Sequence, residues 1–63
     1  MFEEELKNYP ELMTPDEVAE LCQCSRTFIR REITRNKLKS LKISAKYRIP
    51  KKYLIEYLEQ QIV

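Results

Sequence analysis

Apolar side chains recur at helical spacing in three stretches of the chain. Residues three or four positions apart share one face of a helix, so each stretch predicts a helix that buries one side. The predicted helices span about 14–22, 26–35 and 51–61. Their buried faces are formed by Val18, Ala19, Leu21 and Cys22, by Ile29 and Ile33, and by Leu54, Tyr57, Leu58 and Ile62, respectively.

The first two predicted helices begin at capping residues. Thr14-Pro15-Asp16-Glu17 provides an N-cap threonine, a proline at the first helical position and a capping-box glutamate. Ser25 is the N-cap of the second helix, and Asn36 follows that helix where a left-handed backbone is favoured. The turn at Gln23-Cys24 leaves about three residues between the helices, which is the spacing of a helix-turn-helix.

After the second helix the apolar period changes from helical to two. Leu41 and Ile43 alternate with polar residues, and so do Tyr47 and Ile49, which predicts a two-stranded hairpin, or wing. We expect these four residues on one apolar face, with Tyr47 in the core, and basic residues on the other face. Since the chain has no glycine, we expect the turn at 44–46 to be longer or mildly strained rather than a tight two-residue turn.

Size and composition limit the possible functions. The 63-residue chain is too small to enclose a deep cavity, and it has no histidine, the commonest general base and metal ligand. We therefore expect no enzymatic activity, no cofactor and no metal. Since it has neither an apolar run of membrane-spanning length nor a secretory signal, we expect a soluble, cytoplasmic binding protein. Residues 1–12 form an acidic segment, either a short helix or a disordered tail, and residues 13–63 form one domain.

Charge is distributed unevenly along the chain. The first 20 residues carry −6, residues 21–52 carry +10 and the last 11 carry −2, for a formal net charge of +2. A block of one sign can be an ordinary solvated face. The central block contains all five arginines, however, and arginine binds phosphates and guanine edges through two parallel hydrogen bonds. This block therefore favours a polyanionic partner with salt-dependent affinity.

The second helix and the wing supply the candidate binding residues. With Ile29 and Ile33 facing inward, successive residues at 100° place arginines, threonines and Phe28 outward, which suits the major groove of DNA. Phe28 has two alternatives, because it can instead fold against the wing or another protomer. Glu32, near the buried edge, is expected to pair with a nearby arginine or lysine. The predicted DNA-contacting residues are Ser25, Arg26, Thr27, Phe28, Arg30, Arg31, Thr34 and Arg35 in the helix, and Lys42, Ser44, Lys46, Arg48, Lys51 and Lys52 in the wing and its flanks.

The two cysteines do not suggest a metal site. Cys22 and Cys24 lie two residues apart without histidine or further cysteine, whereas a structural zinc site needs four ligands. A disulfide between them would be strained. We expect both to be small buried apolar residues.

The chain from Leu12 to Leu58 resembles the excisionase-type branch of MerR-like winged helix-turn-helix domains. The matching residues are Leu12 to Leu21, Ser25-Arg26, Arg31, Ile33, Lys37-Leu38, Lys42-Ile43 and Lys46 to Lys51. The resemblance implies a small α+β, mainly α fold: a helix-turn-helix, a two-stranded hairpin wing and a C-terminal helix. That family usually has glycine where Gln23, Asn36 and Ser44 stand here, so the resemblance leaves the conformation of these three turns open but not the fold.

The resemblance also implies binding of double-stranded DNA through the second helix and the wing. Many such small proteins are recombination directionality factors, which bend attachment-site DNA, associate cooperatively and help a tyrosine integrase to excise a mobile element. A small transcriptional regulator of promoter DNA is the alternative. A third hypothesis is a protein-interaction adapter that docks an integrase or another copy of itself through the acidic segment and through Tyr53, Tyr57 and Ile62.

Overall fold

The computed structural model describes residues 3–61, in which helices and short strands surround one apolar core. The elements in chain order are α1 (Glu3–Leu6), β1 (Leu12–Met13), α2 (Pro15–Cys22), α3 (Arg26–Thr34), β2 (Leu41–Ile43), β3 (Lys46–Pro50) and α4 (Lys51–Gln60). The three predicted helices therefore end within one residue of their expected limits. No helix among the described residues is long and apolar enough to cross a membrane.

The predicted caps of α2 and α3 are confirmed. Thr14 Oγ1 accepts a hydrogen bond from the Glu17 N–H at 3.1 Å, and the Glu17 carboxylate accepts one from the Thr14 N–H at 2.9 Å. Ser25 Oγ accepts the Phe28 N–H at 3.1 Å. Each cap satisfies backbone N–H groups that have no partner within the helix, so local sequence fixes where each of the two helices begins.

The hairpin belongs to a three-stranded antiparallel sheet with the order β1-β3-β2. The two-residue strand β1, which the sequence pattern did not predict, pairs through Met13 with Ile49. The Lys51 N–H donates to the Glu11 carbonyl at 3.0 Å and continues this pairing into the start of α4. Strand β1 thus ties the segment before α2 to the C-terminal helix.

The wing turn is a tight two-residue turn, so the expectation of a longer turn was wrong, whereas the mild strain given as the alternative is present as left-handed backbone at non-glycine residues. Ile43 pairs with Lys46, and the two residues between them have positive φ values, 51° at Ser44 and 66° at Ala45. Two successive left-handed residues match the right-handed twist of the flanking strands. Gln23 and Asn36 have φ values of 56° and 60°. The three positions where the resembling family usually has glycine therefore all keep left-handed backbone.

The length of this turn reverses the expected faces of β2. Residues directly opposite in a sheet share a face, and a shift of one position moves every side chain to the other face. Leu41 pairs with Arg48, and Lys42 pairs with Tyr47. The expectation that Leu41 and Ile43 share an apolar face with Tyr47 was therefore wrong. The two aliphatic residues lie with Lys46 and Arg48 on the outer face, and Lys42 lies on the Tyr47 face.

The core lies between the helices and the inner face of the sheet. Its buried residues are Leu6, Met13, Val18, Ala19, Ile29, Ile33, Leu38, Ile49, Leu54 and Tyr57. Leu6 places α1 against this core, so this part of the acidic segment is ordered on the domain. Cys22 and Cys24 are free thiols that pack against the core, but they are half-buried rather than fully buried. Burial raises the pKa of both thiols.

Candidate nucleic-acid interface

Helix α3 has one buried side and one exposed side. Its buried residues are Ile29, Glu32 and Ile33. All the predicted contact residues of this helix, and its N-cap, are exposed: Ser25, Arg26, Thr27, Phe28, Arg30, Arg31, Thr34 and Arg35. The predicted orientation of α3 is thus confirmed, while the contact of each residue with DNA stays a prediction. Phe28 is exposed and does not fold into the core.

The inner side of α3 is joined to α4 by a buried hydrogen bond. The Tyr57 hydroxyl donates to Glu32 Oε1 at 2.7 Å, and the two residues are 8% and 9% exposed. The expected arginine or lysine partner of Glu32 was therefore wrong. Its partner comes from α4, because the neighbouring arginines of α3 point outward. Burial, and then the bond to Glu32, raises the pKa of Tyr57.

The adapter hypothesis requires Tyr57 to lie on the surface, but Tyr57 is buried. That side chain is part of the core, and Ile62 lies outside the described residues. Tyr53 is half-buried. The structure thus removes one of the three residues on which this hypothesis depends.

Two predicted contact residues on α3 have partners within the protein. Arg26 Nη1 lies 3.4 Å from Asp16 Oδ1 in an exposed ion pair that connects the starts of α2 and α3. Exposed pairs of this kind contribute little stability, about 0–1 kcal/mol, so a phosphate can compete for Arg26. The Thr34 hydroxyl donates to carbonyl oxygens one helical turn back, at Arg30 and Arg31. The hydroxyl proton of Thr34 is therefore occupied within the helix, and its methyl group is the part of the side chain that remains available for contact with DNA.

A groove joins α3 to the wing. Three cations line it: Arg30 from α3, and Lys46 and Arg48 from β3. The groove has a volume of about 340 Å³, and the rest of its wall consists of Thr14, Pro15, Asp16, Ala45 and Tyr47. We call it the wing groove. Asp16, at the start of α2, is its one acidic residue. No local pattern predicts that this carboxylate lies among the cations.

The predicted wing cations occupy two faces of the hairpin. Lys46 and Arg48 lie on the outer face, opposite Ile43 and Leu41. Arg48 is half-buried, and its Nη1 donates to the Tyr47 carbonyl at 2.8 Å, which holds the guanidinium along the strand. Lys42, expected on the same outer face, instead has its Nζ 5.7 Å from the centre of the Tyr47 ring. Ser44, at the turn, is exposed.

Comparison with known protein families identifies the fold. A family model described as a helix-turn-helix domain matches residues 12–62, most of the chain. The chain belongs to the helix-turn-helix domain family. This is a DNA-binding family that includes excisionase-like proteins. Searches of curated proteins and of solved structures gave no match.

In a helix-turn-helix domain the second helix of the pair enters the major groove. Here that helix is α3, whose exposed side carries the arginines and threonines described above. Strand β3 places two further cations, Lys46 and Arg48, beside it in the wing groove. Together these features match a winged helix-turn-helix, with α3 and the wing as adjacent parts of one surface.

The structure also adds a basic cluster that the sequence did not suggest. The Nζ atoms of Lys39 and Lys52 lie 6.0 Å and 5.5 Å from the centre of the Tyr53 ring. Both distances are within the range of cation–π attraction. Lys52 was a predicted contact residue, whereas Lys39 was not. Lys51, the other predicted lysine of α4, is half-buried.

Proposed function

We propose that this helix-turn-helix domain is an architectural DNA-binding protein of the excisionase type. It binds and bends the DNA beside an attachment sequence and thereby helps a tyrosine integrase to excise a mobile element. The observation that supports the proposal best is the exposed side of α3, whose arginines adjoin the cations of the wing groove. In this proposal the protein acts in the cytoplasm and catalyses no reaction itself.

Helix α3 reads base edges in the major groove. An arginine guanidinium can donate two hydrogen bonds to guanine O6 and N7, and a threonine methyl can contact the methyl group of thymine. Arg31 and Thr27 are exposed, and neither side chain pairs with another side chain within residues 3–61, while Thr34 has its methyl group free. These residue types therefore suit sequence-specific contacts.

The wing groove holds the phosphate backbone next to the helix. Arg30, Lys46 and Arg48 supply positive charge there, and each phosphate that they neutralise releases counterions. Asp16 opposes an anion in the same groove. Its charge favours a geometry in which the phosphate lies against Arg30 and Lys46 rather than against the start of α2.

The integrase and further copies of the protein are the proposed protein partners. A 63-residue domain covers a short stretch of duplex, so bending a longer region requires several adjacent sites. Cooperative occupation of repeated sites would supply this, and the bend would bring integrase sites together. Both partnerships follow from the excisionase-type assignment and are tested with it.

The decisive experiment combines footprinting with a reconstituted excision reaction. The purified protein is footprinted across the attachment and promoter DNA of its own locus, and excision by the cognate integrase is measured with and without it. Protection beside the attachment site and faster excision support the proposal. Protection over a promoter, with unchanged excision, would assign a transcriptional regulator instead. The variant Arg31→Ala should lose both effects, whereas Lys7→Ala, which removes one exposed positive charge before α2, should retain them.

A further inference from the structure

The outer face of the wing exposes two aliphatic side chains. Leu41 is 40% exposed and Ile43 is 48% exposed, although both stand on a paired strand. All three residues of β2 are exposed. Because the core buries most other large aliphatic residues of the domain, the exposure of this pair is a departure. Leu41 also borders a cavity that is lined by the core residues Ile33 and Leu38, whereas Ile43 does not line it.

The two-residue turn is what places these side chains outward. Left-handed backbone at Ser44 and Ala45 pairs Ile43 with Lys46, and this pairing sets Leu41 opposite Arg48. A loop one residue longer would turn Leu41 and Ile43 toward the core face. The wing thus carries a small aliphatic surface, and each of its two residues has a cation beside it on the neighbouring strand.

We infer that Leu41 and Ile43 form an apolar contact site for the minor groove of duplex DNA. The inference rests on the proposed function, since it assumes that the wing meets DNA. The walls of the minor groove are the hydrocarbon faces of the deoxyribose rings, and the phosphates line its edges. Lys46 and Arg48 would reach those phosphates while the two aliphatic side chains contact the sugars between them. Leucine and isoleucine are among the residues that wedge into the minor groove and bend DNA.

A second copy of this chain is the competing occupant of the same face, and charge argues against it. Two copies pairing through this surface would bring Lys46 and Arg48 of one protomer next to those of the other, and like charges at an interface are repelled. A polyanion removes that conflict, because the same cations become favourable contacts. The charge pattern around the aliphatic pair therefore favours DNA.

The test uses the dependence of DNA affinity on salt. The full-length protein and its variants are titrated against two duplexes of 40 base pairs, one carrying the footprinted site and one of mixed sequence, each labelled at both ends for energy transfer. Ile43→Thr keeps the β-branched shape but makes the surface polar. It should weaken binding about tenfold at every salt concentration, on the scale expected for one buried aliphatic side chain, and it should reduce the bend. The slope of affinity against salt should stay unchanged, because no phosphate contact is lost.

Two controls separate this effect from unfolding and from general loss of apolar surface. Ile43→Val keeps an aliphatic side chain at the contact and should lose much less affinity than Ile43→Thr does. Leu12→Ser removes an exposed leucine, 42% exposed, from the opposite edge strand of the sheet, and it should also bind normally.

Three other outcomes would contradict either this inference or the proposed function on which it rests. If Ile43→Thr binds and bends both duplexes like the wild type, the apolar contact is wrong and the proposed function stands. If Ile43→Thr changes the sedimentation of the free protein but not its affinity for DNA, the occupant is a second copy. If the wild-type protein binds neither duplex even at low salt, the proposed function itself fails.

Discussion

Removing the Tyr57 hydroxyl tests the buried contact that joins α3 to α4. Tyr57→Phe keeps the ring in the core and deletes one hydrogen bond of 2.7 Å to the Glu32 carboxylate. A buried hydrogen bond to a charged group contributes about 1.5–3 kcal/mol. A domain of this size has only about 3–5 kcal/mol of stability from its core. We therefore expect Tyr57→Phe to lose a large part of the free energy of unfolding, and its melting temperature to fall by about 10 °C.

Urea unfolding followed by far-UV circular dichroism measures this loss, and Tyr9→Phe is the matched control. The Tyr9 hydroxyl also donates to a carboxylate, that of Glu20 at 2.9 Å, but this bond is exposed. Water replaces an exposed bond at little cost, so the control should unfold almost as the wild type does. Equal losses in the two variants, or no loss in Tyr57→Phe, would refute the argument that burial makes this contact strong.

The stability difference between the wild type and Tyr57→Phe should also depend on pH, in a direction that the pKa of Tyr57 determines. Since burial and the bond to Glu32 raise the pKa of Tyr57 in the folded state, its contribution is complete below the unfolded pKa of about 10. The contribution falls as pH rises above about 10 toward the higher folded value. Tyr57→Phe lacks this group. The difference in stability between wild type and variant should therefore narrow above about pH 10, and a constant difference would contradict the assignment.

Four further substitutions test other parts of the structure. Gln23→Gly should stabilise the domain by about 0.5–1 kcal/mol in the same urea assay, because glycine adopts the observed φ of 56° without a steric penalty; a loss of stability would mean that the left-handed turn is misassigned. Ile33→Ala should destabilise the fold by about 2–5 kcal/mol because Ile33 lies in the core, and a near-neutral result would place α3 wrongly. Arg31→Ala should cost about 1–3 kcal/mol of DNA affinity and relax base preference at one position in a binding-site selection; full recovery in Arg31→Lys, which keeps only the charge, would identify a phosphate contact instead. Lys46→Ala should weaken all duplexes evenly and reduce the salt slope by about one, and a change confined to one sequence would argue for base contact.

The helices were predictable from the sequence because their signals are local. The caps at Thr14 and Ser25 act within one helical turn, and the apolar residues of each helix repeat within its own length. The exposed side of α3 followed from the same periodicity, since fixing Ile29 and Ile33 inside determines which residues lie outside. The three longer helices and the exposed side of α3 could therefore be derived without knowledge of any long-range contact.

The features that the sequence did not predict depend either on long-range contacts or on the number of residues in the wing turn. The two-residue strand β1 exists only through its pairing with β3. The partner of Glu32 depends on where α4 crosses α3, which no local pattern fixes. The faces of the wing depend on whether the loop has two residues or three. Without glycine or an asparagine–glycine pair to mark a tight turn, the sequence favoured the longer loop and therefore the wrong faces.

The left-handed residues lie at the ends of the two elements that form the candidate interface. Gln23 precedes α3, Asn36 follows it, and Ser44 and Ala45 form the wing turn. A left-handed conformation costs a non-glycine residue roughly 1–2 kcal/mol, which is large for so small a domain. Glycine would remove that cost but would let each junction sample more conformations. We therefore expect Gln23→Gly to raise stability and, if the stiffer turn fixes the angle of α3, to lower DNA affinity. A variant that gains stability with unchanged affinity would mean that the turn serves folding alone.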